Sequence, residues 1–145
     1  DNLLSIMENI YNKPLIVRNQ LDEVLGEYGL EKLADSKAYT LSGGERRRLE
    51  IARALIMNPK FVLLDEPFTG IDPLAIIDLQ KILISLKNKG IGLLLTDHSV
   101  RETLRITDRA YIIDKGKIYK EGKPEELVIS DEVKKQYLGK SFTLN

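Results

Sequence analysis

Apolar positions recur at helical spacing from Asp1 to about Thr40. Leu3, Leu4, Met7 and Ile10 fall on one face, and Val17, Leu21, Val24, Leu25 and Tyr28 on another. The spacing predicts two helices separated at Pro14. A third is predicted from Gly43 to Asn58, with Leu49, Ala52, Leu55 and Ile56 turned inward and Asn58-Pro59 as the stop. The pattern then changes. Phe61 to Leu64 and Ile91 to Leu95 are unbroken apolar runs, which read as parallel strands buried on both faces. The helical stretch Pro73 to Lys89 between them completes a strand-helix-strand crossover. Ala110 to Asp114 and Lys117 to Glu121 flank Asp114-Lys115-Gly116, predicting a hairpin whose glycine takes positive φ. Short helices are expected over Pro124 to Ile129 and Asp131 to Leu138, with Gly139 ending the second. The fold class is therefore α/β: a helical piece over residues 1–40, then an α/β piece over residues 41–145 with a partial parallel sheet flanked by helices.

Composition narrows the functional classes. Lys+Arg and Asp+Glu are both 22, so the formal net charge is zero and no long-range field draws the chain to nucleic acid. A nucleic-acid partner is not expected. Cysteine is absent, which removes disulfides and thiolate metal sites. Runs such as Ile91 to Leu95 are too short to span a bilayer, and the first residues lack a signal-peptide pattern, so the cytoplasm is the expected compartment.

Three stretches carry candidate chemistry. Leu41-Ser42-Gly43-Gly44-Glu45 contains S-x-x-E, an ordinary capping box, but its two glycines would also let an anion approach bare N–H groups at the positive end of a helix dipole. Arg46, Arg47 and Arg48 either extend that positive field or form a solvated face. Phe61 to Glu66 is an apolar strand ending in two carboxylates, at the sheet edge where open α/β folds bind ligands. Neighbouring like charges disfavour each other, and a bound cation relieves that cost. Asp65 accordingly reads as the residue that orients Mg²⁺ and Glu66 as the carboxylate that polarises an attacking water. The third stretch runs from Leu93 to His98, with the only histidine at the exit of a buried strand, where it could bond a terminal phosphate. Asp72-Pro73 by itself is an ordinary helix start.

In this order the stretches resemble the ATPase subunit of an ABC transporter, a P-loop NTPase. Leu41, Ser42, Gly43, Gly44 and Glu45 resemble the signature motif, Phe61 to Glu66 the Walker B strand with its catalytic glutamate, Gly70-Ile71-Asp72 the D-loop, and His98 the switch histidine. The resemblance implies ATP and Mg²⁺ as cofactors and a head-to-tail dimer in which the signature motif and Asp72 act on the ATP of a second copy. It also implies permease subunits as partners, a short permease helix docked on residues 1–40, and a peripheral place on the inner face of the cell's inner membrane. Leu41 to Arg53, Thr96 to Leu104, and Tyr137-Leu138-Gly139 with Phe142 resemble most the members that drive lipopolysaccharide export. Members for branched-chain amino-acid import are the alternative, differing at Glu45 and after His98; a non-transport member or an inactive fragment stands behind them. No stretch matches G-x-x-x-x-G-K-[ST], the loop that cradles the phosphates, so residues 1–145 alone are expected not to turn over ATP. In the family's sheet, Ile91 to Thr96 and Ala110 to Asp114 are not neighbours, so direct pairing between them is not expected.

Overall fold

The computed structural model describes residues 3–10, 14–139 and 141–143, the side chains of 14–16 excepted. It divides into two compact units, residues 1–96 and residues 97–145. In the first unit, α1 (Leu4–Ile10) and α2 (Pro14–Glu27) are followed by 3₁₀ turns at Glu31–Leu33 and Ala38–Thr40. The connection between the two helices lies outside the described residues. Leu3, Met7, Val17, Leu25 and Tyr28 are buried, whereas Ile10 points to solvent and departs from the predicted face. The Leu30 N–H reaches back to the Leu25 carbonyl at 2.8 Å and Gly29 has φ +62°, so α2 ends in a left-handed glycine stop.

Helix α3 (Gly43–Leu55) is followed by β1 (Phe61–Asp65), α4 (Pro73–Asn88) and β2 (Gly92–Thr96). The buried face of α3 is Gly44, Ile51 and Ala52; of the residues predicted to turn inward, Ala52 and Ile56 are buried, whereas Leu49 and Leu55 are only half-buried. Asp72 caps α4 by accepting the N–H groups of Leu74 and Ala75 at 3.1 and 3.0 Å, with Pro73 at the first helical position. Leu79, Leu83 and Leu86 on α4 are buried, each stabilising the unit by about 1.5–3 kcal/mol.

Strands β1 and β2 pair in parallel, with Val62 opposite Leu93, Leu64 opposite Leu95 and Asp65 opposite Thr96. The expectation that both faces are buried is corrected: Val62 is buried, but Phe61, Leu63 and Leu94 are 57, 72 and 49% exposed. These residues share the opposite face by the two-residue period of a strand. The apolar run hid this alternation because both faces are apolar, while α4 packs on only one.

The second unit holds α5 (Val100–Leu104), β3 (Ala110–Asp114), β4 (Lys117–Gly122), α6 (Pro124–Ile129) and α7 (Asp131–Val133), the last continuing as a π-helical turn to Leu138. β3 and β4 form the predicted hairpin, with Lys115 and Gly116 both at positive φ, as a tight two-residue turn requires. The described strands thus make two separate two-stranded sheets, β1 with β2 and β3 with β4. Gly139, at φ +83°, ends the π turn.

Candidate functional site at the carboxyl end of the parallel strands

The last rung of the parallel pair sets the site. Thr96 Oγ1 donates to Asp65 Oδ1 at 2.5 Å, and the Glu66 N–H donates to the Thr96 carbonyl at 2.9 Å, so the ladder runs one residue beyond β1. The chain then turns sharply. Glu66 has φ +46°, a left-handed backbone that costs a non-glycine residue about 1–3 kcal/mol and persists only where its surroundings enforce it.

Those surroundings are visible. The Thr69 N–H donates to the Glu66 carbonyl at 3.2 Å, closing a four-residue turn, and Arg47 Nη2 on α3 donates to the same oxygen at 3.2 Å. Thr69 Oγ1 donates to Glu66 Oε2, also at 3.2 Å. Pro67 and Phe68, the two central residues of the turn, are fully buried and anchor it. Arg47 further pairs with Glu50 at 2.7 Å, so its guanidinium serves the Glu66 turn and its own helix.

The start of α3 lies beside the turn into α4. Ser42 Oγ accepts the Glu45 N–H at 3.3 Å and Glu45 Oε2 accepts the Ser42 N–H at 2.8 Å, a complete capping box. The hydrogen bond from the Ser42 backbone holds the Glu45 carboxyl below its usual range. A Cβ on Gly43 would stand 3.1 Å from the Gly70 carbonyl, and one on Gly44 only 2.6 Å from the Ala75 Cβ. Gly44 is buried, so close packing of α3 on α4 accounts for the absence of a side chain there. Leu41, also buried, precedes the cap, and Asp72 is engaged as the N-cap of α4.

His98 belongs to the second unit. It is exposed just ahead of α5, its carbonyl accepts the Val100 N–H at 2.9 Å, and Asp97 Oδ1 accepts the Ser99 N–H at 2.8 Å. With Arg101, Tyr137 and Phe142 it lines a shallow cavity of about 430 Å³, where the Arg101 guanidinium lies 5.4 Å from the Phe142 ring centroid.

The first unit therefore brings Asp65 and Glu66 together, and separately Ser42, Gly43, Glu45 and the Gly70–Asp72 turn. Arg47, Thr69 and Thr96, which contact Glu66 and Asp65, are not among the residues that the sequence pattern singles out for the site. Thr96, polar at the end of an apolar strand, was the readable signal, whereas Arg47 looked like one of three solvated arginines.

Residues 1–69 match the family model described as ABC transporter. The chain also superposes on an ATP-binding cassette of an ABC transporter solved in its ADP conformation, with TM-score 0.77 and 30% identity over 96% of this chain and 61% of that one. The chain is thus similar to ABC transporter ATP-binding cassettes over nearly its whole length. Two relatives of this chain are the lipopolysaccharide export system ATP-binding proteins LptB of Acidithiobacillus ferridurans, 47% identical over 144 residues, and of Haemophilus influenzae, 48% identical over 145. Each alignment covers 99% of this chain and 60% of the relative, so the chain spans about three-fifths of their length.

The donors fit Mg²⁺, the cation that the resemblance implies. Among the described residues no three His, Cys, Asp or Glu side chains cluster as a closed metal cage. Mg²⁺ does not require one, because it keeps several waters and takes one or two carboxylates with substrate phosphates. Asp65, oriented by the Thr96 hydroxyl, offers hard oxygen of that kind. Among the described residues no helix is long and apolar enough to cross a membrane.

Proposed function

We propose that this chain supplies the signature, Walker B and switch-histidine elements of an ATPase that powers extraction and export of lipopolysaccharide from the inner membrane. Glu66 takes the proton of the water that attacks the terminal phosphate, and Asp65 holds the Mg²⁺ shell. When bound, the cation neutralises charge on the phosphate oxygens. His98 bonds the terminal phosphate. Leu41 to Glu45 and Asp72 act on the ATP of a second copy in a head-to-tail dimer. Permease subunits dock a short helix on the helical piece, which keeps the ATPase peripheral on the cytoplasmic face. Residues 1–145 alone do not turn over ATP, having no glycine loop in their sequence.

The observation that supports hydrolysis is the Glu66 turn: a carboxylate beside Asp65 at the end of a parallel strand, held in a strained conformation by Thr69 and Arg47. The substrate is carried over from the relatives named for lipopolysaccharide export. Depleting the protein in its own cells, followed by membrane fractionation, tests that part. Lipopolysaccharide should accumulate in the inner membrane; normal surface lipopolysaccharide with lost branched-chain amino-acid uptake would favour the import reading.

A further inference from the structure

Thr69 grips Glu66 twice. Its N–H closes the turn on the Glu66 carbonyl, and its hydroxyl reaches the Glu66 carboxylate at Oε2, both at 3.2 Å. The two contacts have different consequences. The backbone contact is open to any residue but proline and shapes the turn. The hydroxyl contact needs Ser or Thr, and it constrains the terminal torsion of a glutamate, which is otherwise broad and nearly two-fold.

The base of this grip is rigid. Pro67 fixes its own φ, Pro67 and Phe68 are fully buried, and Arg47 holds the shared carbonyl from the side. A flexible acid on an exposed corner would sample many orientations, and misplacing a reacting group by about 1 Å can lower a rate about 100-fold. Thr69 is exposed, so the hydroxyl adds nothing to the core, and a role in fold stability explains it poorly.

We propose that Thr69 is a positioning residue that orients the carboxylate of Glu66 for proton abstraction, an inference that rests on the hydrolytic role of Glu66 proposed above. Its effect passes entirely through that side chain. In the full-length ATPase, Thr69→Val removes the hydroxyl at nearly constant shape, Thr69→Ser keeps it, and Thr69→Ala serves as a second deletion should the valine disturb the turn.

The expected result is a kcat lowered about 10- to 100-fold in Thr69→Val and Thr69→Ala, with KM for ATP changed less than about twofold and Thr69→Ser close to the parent. On a Glu66→Gln background the same deletions should lower the residual rate no further. A parental kcat in both deletions, an equal loss in Thr69→Ser, or a full additional loss on the Glu66→Gln background overturns the positioning role. If Glu66→Gln itself hydrolyses ATP normally, the fault lies instead with the assignment of the base.

Discussion

Thr96 and Asp65 meet at the final rung of the parallel pair, where the threonine hydroxyl donates to the carboxylate at 2.5 Å. The bond fixes which way Asp65 faces. Thr96→Val should leave the backbone ladder intact, because the Glu66 N–H keeps its 2.9 Å bond to the Thr96 carbonyl and loses only the longer 3.4 Å contact with the hydroxyl. Partners of this kind are worth about 10- to 100-fold in metal affinity. The Mg²⁺ concentration for half-maximal ATPase activity should rise by that order in the full-length protein, while ATP binding without metal changes little. An unchanged Mg²⁺ requirement would remove Thr96 from the site.

The capping box at Ser42 makes a pH-resolved prediction. Ser42→Ala should cost about 1 kcal/mol and lower the melting temperature by about 4 °C near neutral pH. The Glu45 pKa is depressed in the folded state, so its contribution is present above the unfolded value of about 4.3 and fades as pH falls through the lower folded value. Thermal melts at pH 7 and in the acid range should therefore show the parent and Glu45→Ala, which removes the titrating carboxylate, converging below about pH 4. A constant difference across that window would contradict the linkage.

Gly44→Ala tests why the second glycine is there. Alanine favours a helix interior by about 1 kcal/mol over glycine, yet the added Cβ would lie 2.6 Å from the Ala75 Cβ. Overpacking typically costs about 1–3 kcal/mol, so a net loss of stability is expected in denaturant titration. Ala75→Gly combined with Gly44→Ala should recover part of it. Greater stability in Gly44→Ala alone would mean that α3 and α4 separate readily.

The helical piece is proposed to receive a permease helix. Ile10 and Tyr39 are its exposed large apolar side chains among the described residues. Ile10→Glu and Tyr39→Glu should leave the folded ATPase with parental turnover in detergent while weakening co-purification with the permease. Parental co-purification in both would count against this surface.

Local chemistry made much of this structure legible. Asp72-Pro73 and Ser42 with Glu45 announced two helix starts, and Lys115-Gly116 announced the hairpin turn, because each depends on neighbours within four residues. Asp65 and Glu66 were readable as a pair at a strand end for the same reason. The exposed face carrying Phe61, Leu63 and Leu94 was not, since an apolar run states what a strand tolerates and not what covers it. The clasp on Glu66 was equally hidden, because Arg47 arrives from a helix 19 residues away and nothing local distinguishes it from Arg46 or Arg48.

Single-turnover phosphate release in Glu66→Gln of the full-length protein decides whether Glu66 is the base of ATP hydrolysis. General-base catalysis is worth about 100- to 10,000-fold, so release should slow at least 100-fold while ATP affinity stays within about twofold and a nucleotide-bound dimer accumulates. Phosphate release at the parental rate, with ATP bound as tightly, would contradict the account.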